Sequence, residues 1–325
     1  MNKKGEGEQF NWLFVLIAGA IILSFFAVFT TKYIDLQDKK LNVGFGRTFG
    51  ENIHLLQSIS FPSRYIDDSQ VEKFGIQIRL DYTCLDDTSY FKINNDYEQD
   101  IPEIVYAPAT LIGDRFDEWT NQWKYPYFAA NFIYLSDPKR TFYILYDSRT
   151  KKEADALDIP QIFTVIKQDK KIPIDGRSGT KKATIFSFVP FTQKDFQQYE
   201  VLFDEHAVLF ADTNRKIITF YDGNKQEGTA PYTSDAFLYG ALFSPSLETY
   251  QCNLKKAHTQ LEQVTAIYNK KAVLLSSTAE SSCSYNSIQQ TLTRFQKNYE
   301  KDKTLPETLT TLNEDLGGKE CPTVF

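Results

Sequence analysis

The chain has 325 residues, of which 42% are hydrophobic and 15% aromatic, including 26 Phe and 19 Tyr; this excludes a disordered chain and allows a sizeable core. Its net charge is −6 and its pI is near 5.3, with no stretch dense in Lys and Arg. A nucleic-acid partner is therefore not expected.

From Phe10 to Thr31 the sequence carries no charge. As a helix this run rises about 33 Å at about 1.5 Å per residue, enough to cross a bilayer. Trp12 and Tyr33 fall where interfacial aromatics sit, and Lys3, Lys4 and Lys32 bracket the run. A cleaved secretory signal is the competing reading, because Ala18-Gly19-Ala20 resembles a cleavage site; the apolar run, however, continues well past Ala20. Flanking Lys and Arg do not decide orientation. The short tail is read as cytoplasmic and the long domain as outside, since long domains translocate largely regardless of flanking charge.

Leu41, Phe45, Phe49, Ile53 and Leu56 recur at spacings of four and three, and no proline occurs before Pro62. The spacing predicts an amphipathic helix over 32–60, continuous with the apolar one. Gly44, Gly46 and Gly50 weaken it by about 1 kcal/mol each relative to alanine, so packing against a domain must hold it.

With its basic pair and glycine at Lys3-Lys4-Gly5-Glu6 and its apolar-then-amphipathic helix, the chain resembles archaeal type IV pilin-like proteins of the class III signal type. The resemblance implies cleavage after Gly5, an apolar half-helix that bundles in a filament or stays in the membrane, and an amphipathic half packed on a sheet. An uncleaved anchor is the alternative. Segments such as 119–135 also look like those of single-anchor archaeal membrane proteins, a resemblance that brings no activity with it.

After Pro62 the periodicity changes to two, with Phe74, Ile76, Ile78, Leu80 and Tyr82 alternating with polar residues. Further strands are predicted over 104–106, 128–135, 141–146, 162–167 and 183–189, with a hairpin of 207–211 and 216–221 about Asp212-Thr213-Asn214. Residues 109–124 are predicted helical, and 148–157 a short crossover that makes part of the sheet parallel. Beyond Thr233 the character is helical: one helix to about Phe243, a long one from Pro245 to about Ser276, and a return arm over 285–301.

Cys84, Cys252, Cys283 and Cys321 all follow the apolar run and form no Cys-x-x-Cys pair. An even count on one side of a membrane segment points to disulfides in an oxidising compartment, although four buried thiols would read the same. The pairing considered from sequence is Cys252 with Cys283, across the two helical arms.

Chemical signals are sparse. Ser178 and Lys181 share the Ser-x-x-Lys spacing of a serine nucleophile and lysine base, but the partner motifs that chemistry needs are missing. The Gly44-x-Gly46 run follows a membrane helix rather than a strand, which is the wrong context for a dinucleotide loop. His54, His206 and His258 are far apart, so neither a metal nor a cofactor is expected. Trp119, Trp123, Tyr125 and Tyr127, with Phe116 and Phe128, make either a binding platform for sugars or proteins, or part of the core.

The expectation is thus an α+β protein: a tail over 1–9, a transmembrane helix over 10–31, an amphipathic helix over 32–60, a mixed-sheet domain over 61–230 and a helical section over 231–325. Its partners are the bilayer and other proteins. The leading reading is a structural or interaction role at the cell envelope; the alternative is an anchored ligand-binding or hydrolytic domain acting on surface glycans or peptides.

Overall fold

A computed structural model describes residues 4–58, 64–65, 77–174, 182–244, 246–278, 283–299 and 301–325. Helix α1 (Lys4–Ser58) runs unbroken for 55 residues. From Trp12 to Lys40 its side chains are exposed apart from partial cover at Ala18 and Gly19, and burial begins at Leu41. The segment is long and apolar enough to cross a membrane, with a mean hydropathy of 2.7, and none of that apolar window is buried in the domain. A core helix of a soluble protein would be covered instead. Hydroxyls within the run donate to carbonyls one turn back, Ser24 to Ala20 at 2.7 Å and Thr30 to Phe26 at 2.8 Å, so neither needs water.

The first strands are β1 (Arg64–Tyr65), β2 (Ile78–Leu85), β3 (Thr88–Ile93), β4 (Tyr97–Asp100), β5 (Val105–Tyr106), β6 (Thr110–Gly113), β7 (Asp117–Lys124) and β8 (Phe128–Ser136). Then come β9 (Arg140–Tyr146), α2 (Lys151–Ala156), β10 (Thr164–Asp169), β11 (Lys182–Ser187), α3 (Gln193–Leu202), β12 (Glu205–Asp212), β13 (Ile217–Asp222) and β14 (Lys225–Pro231). Helices α4 (Asp235–Phe243), α5 (Leu247–Thr278), α6 (Asn286–Asn298) and α7 (Leu305–Gly318) complete an α+β fold.

Among the described residues three sheets result. The first, ordered β4-β3-β2-β6, is antiparallel and receives the second half of α1: Phe45, Phe49, Ile53 and Leu56 join Leu80, Phe91 and Ile93 in one core. The second runs β1-β7-β8-β5. The third runs β10-β9-β11-β12-β13-β14, parallel through β12 and antiparallel after it. Its parallel part includes two helical crossovers, with α2 on one face, where Ala154 joins the core that holds Phe142 and Phe186, and α3 on the other, where Phe196 and Tyr199 join the core that holds Tyr143 and Ile185. At the starts of β9, β11 and β12, buried Arg140 lies between Asp137 and Glu205, and Lys182 reaches both carboxylates at 3.4 Å. Removing one member of a buried ionic group of this kind leaves a charge uncompensated, at a cost of about 3–5 kcal/mol.

Two expectations are corrected. Residues 109–124 form β6 and β7 rather than a helix: Trp119 and Trp123 are four apart, a spacing that keeps two side chains on one face in either periodicity. The disulfides join Cys84 to Cys252 and Cys283 to Cys321, not Cys252 to Cys283. Cys252 lies near the start of α5 and Cys283 beyond its far end, so the 26 residue steps from 252 to 278 separate them by about 39 Å of helix. In the chain-entropy model, loops of 168 and 38 residues make these links worth about 5 and about 4 kcal/mol.

Close approach of α1 to the first sheet depends on glycine. A methyl group at Gly46 would stand 2.5 Å from the Tyr97 ring and 2.7 Å from Cδ1 of fully buried Ile93, whereas one at Gly44 meets nothing within 4 Å. Both alanine variants gain about 1 kcal/mol of helix propensity, but Gly46→Ala overpacks the interface by about 1–3 kcal/mol. Denaturant midpoints should therefore place Gly44→Ala above wild type and Gly46→Ala clearly below Gly44→Ala; equal midpoints would remove close packing as the reason for Gly46.

Candidate functional site

The aromatic segment is mostly core. Trp119 packs against Tyr134 and Tyr239, each with ring centroids 4.8 Å away, and Tyr127 packs against Tyr268 at 4.6 Å while its hydroxyl meets Thr265. Trp123 contacts Phe237 at 5.2 Å and Phe132 at 5.4 Å, and half-buried Tyr125 stacks beside it. Phe128 alone among these is exposed. The segment forms the seam where the second sheet meets the C-terminal helices. Ser178 and Lys181 lie outside the described residues. His206 sits on β12, half-buried, with burial holding its pKa below the usual histidine value against the opposing charge of Glu200. His54 on α1 pairs with buried Glu103 at 2.8 Å. Among the described residues no cluster of His, Cys, Asp or Glu is arranged to hold a metal ion.

What the sequence did not reveal is a cleft of about 330 Å³ where five segments converge. The end of β7 supplies Trp123 and Tyr125; α5 supplies Leu254 and His258; the link from α6 to α7 supplies Tyr299 and Lys303. The β12–β13 hairpin and the exit of β14 close the opposite wall with Arg215, Lys216 and Tyr232. The volume lies within the range of small-molecule sites, and the lining is mainly apolar, as such sites are.

Local chemistry fixes that wall. Asp212 Oδ1 accepts the N–H groups of Asn214 and Arg215, both at 3.0 Å, which sets the turn, and Lys216 leaves it at φ +58°. The Lys216 carbonyl accepts the Tyr232 N–H at 3.0 Å, tying the end of β14 to the start of β13. The Lys216 ammonium stands 5.2 Å from the Tyr232 ring centroid, a cation–π contact. Arg215 is bridged to Asp212 at 3.2 Å. Burial, assisted by the nearby charges of Asp212, Asp235 and Glu153, pushes the Tyr232 phenol up to about 12, and burial also raises Tyr125. Both phenols are therefore neutral hydrogen-bonding groups at physiological pH. Trp123 and Tyr232 are only 2% and 3% exposed, and the Trp123 Nε1 and the Tyr232 hydroxyl are buried without a hydrogen-bond partner among the described residues. No carboxylate is found among the described lining residues. Aromatic walls and a cationic mouth suit holding a ligand.

A second candidate, buried Lys256 on α5, is a strut. Its ammonium donates to Ser89 Oγ at 2.9 Å, to the Ile101 carbonyl at 3.2 Å and to the Glu103 carbonyl, which uses all three of its protons. Burial lowers its pKa to about 8, against the opposing charges of Glu103 and Asp87. With the folded value below the unfolded one, the unfolded chain holds more protons between about pH 8 and the ordinary lysine range, so stability gains with rising pH there. Denaturation of wild type and Lys256→Met at pH 7.5 and 9.5 should show the difference between them moving in favour of wild type at the higher pH. An unchanged difference would mean that the amine stays fully protonated throughout.

No protein-family model, curated protein or solved structure matches this chain.

Proposed function

We propose that this is a single-pass membrane protein whose large domain lies outside the cell and works by binding, presenting its cleft from a rigid helical stalk at the envelope. The carrying observation is α1 itself: its apolar half is uncovered from Trp12 onward, while the same helix, without a break, docks on the first sheet through Phe45, Phe49, Ile53 and Leu56. Between Lys32 and Lys40 only about 14 Å of helix separates the apolar run from the docked portion, which holds the domain close to the membrane surface. Two disulfides and no free cysteine support an oxidising location. The cleft, with neutral phenols and lysines at its mouth, supports binding over hydrolysis.

A pilin-like role is the second reading. It is favoured by the packing of the lower half of α1 on an antiparallel sheet, the arrangement the N-terminal resemblance implies. In this reading the uncovered half of α1 packs against neighbouring subunits rather than lipid alone.

Intact mass of the membrane-extracted chain, measured with and without reduction before thiol alkylation, separates the two. A chain keeping residues 1–5, apart from Met1, with four thiols alkylated only after reduction, fits the tethered binding domain. Loss of the first five residues with the same alkylation pattern fits the pilin-like subunit. Four thiols alkylated without reduction would overturn the external location in both. Protease added to intact cells should remove the domain under either reading, and full protection would place it inside.

A further inference from the structure

The surface that a ligand can reach in the cleft is mainly apolar inside and basic at the rim. Trp123 and Tyr232, almost wholly buried, back it, and the reachable face comes from half-buried Tyr125, Ile217 and His258 and from exposed Pro231. Arg215, Lys216 and Lys303 are exposed at the same cleft. The carboxylates beside them in sequence are already engaged. Asp212 accepts the N–H groups of Asn214 and Arg215 and bridges the Arg215 guanidinium, and Asp302 accepts the Thr304 N–H at 3.1 Å and hydroxyl at 2.6 Å and lies 3.6 Å from Arg294. Asp235 and Glu153, which act on the Tyr232 phenol, do not line the cleft. Lys216 and Lys303 thus have no carboxylate partner among the described residues. In a chain of net charge −6, cations gathered around one apolar cleft favour an anion there.

Neither half of this surface suffices alone. A small hydrophilic anion would meet the charge and leave the apolar face wet; a neutral apolar molecule would cover that face and leave the lysines without a counter-charge; an apolar cation would be repelled at the rim. We propose that the cleft binds a small organic acid, an apolar body that lies against Tyr125, Ile217 and Pro231 and carries an anionic group held at the rim beside Lys216 and Lys303. Such a ligand asks for no hydrogen bond from the inner wall, whose buried polar atoms, Trp123 Nε1 and the Tyr232 hydroxyl, lie out of its reach. A volume of about 330 Å³, at the lower end of small-molecule sites, suits a free acid rather than a segment of another chain. The proposal rests on the tethered-binding reading only for where the acid is met, outside the membrane.

Calorimetric titration of the full-length chain in nanodiscs of zwitterionic lipid, with empty nanodiscs as the blank, tests this with three probes: naphthoate, naphthamide and acetate. Naphthoate should bind saturably and at least about tenfold more tightly than its neutral amide, the scale of one charge-assisted hydrogen bond, and acetate should show no saturable binding at millimolar concentration. Lys216→Gln with Lys303→Gln should bring naphthoate down to the level of naphthamide and leave naphthamide unchanged. Lys270→Gln with Lys271→Gln removes the same charge from exposed residues of α5 outside the cleft and should change neither. Naphthamide equal to naphthoate, acetate equal to naphthoate, both lysine pairs weakening naphthoate alike, or no saturable naphthoate binding at millimolar concentration would each overturn the assignment. Selective naphthoate binding by a chain whose domain proves to be inside the cell would keep the site and overturn the external reading.

Discussion

The lock between the start of α5 and strand β2 organises the rest of the molecule. Within two turns, Cys252 is bonded to Cys84, Asn253 donates to the Val105 carbonyl at 2.7 Å, and Lys256 reaches Ser89 and the carbonyls that follow β4. The Tyr82 hydroxyl donates to the same Val105 carbonyl at 2.7 Å. These contacts join segments about 150–170 residues apart, which no local interaction could bring together, and the covalent link removes most of the closure entropy in advance. Because α1 packs into the same core as Cys252, the long N-terminal helix, the first sheet and the C-terminal helices are referenced to one another. The same stretch of α5 carries Leu254 to the cleft, and the turn after it carries His258, so the lock that holds the domain together also sets one wall of the site.

The cleft's character follows from what surrounds it. The aromatic seam of β7, β8 and α4 is packed nearly solid, with α4 buried along its whole length. Only at the end of β7 does it open, where Trp123 is followed by half-buried Tyr125 and the chain turns back into β8. The cations come from elsewhere: Lys216 from a hairpin turn and Lys303 from a helix link, both free to stay hydrated while the walls stay dry. Apolar walls lower the local dielectric, so a charge pair formed at this mouth is stronger than one on an open surface.

Much of the framework was legible in the sequence because single elements obey local rules. The uncharged run from Phe10, the four-and-three spacing through Leu56 and the alternation from Ile78 through Tyr82 each record one element meeting one environment, while Phe74 and Ile76, where that alternation begins, lie outside the described residues. Trp119 and Trp123 misled because their spacing fits both periods and only pairing with β8 decides between them. Strand β4 and β14 escaped notice because YEQD and KQEGTAP lie at sheet edges and have little apolar alternation to show. The disulfide partners depended on the direction in which α5 carries Cys252 away from Cys283, a tertiary fact. The cleft was illegible for the same reason: its residues come from five separate segments, and Lys216 or Lys303 alone is an ordinary surface lysine.

The architecture also makes the anchor inseparable from the domain. Phe45, Phe49, Ile53 and Leu56 are at most 6% exposed, and burying side chains of this size contributes about 1.5–3 kcal/mol each, against a net domain stability of about 5–15 kcal/mol. The helix whose first half is apolar enough to cross a membrane is thus also a core element of the first sheet. Any force or neighbour that shifts it acts directly on Phe91 and Ile93, and through their shared core on Cys84 and Cys252. A flexible linker would have uncoupled the domain from the apolar half of α1; a continuous helix seated on the sheet by glycine does the opposite.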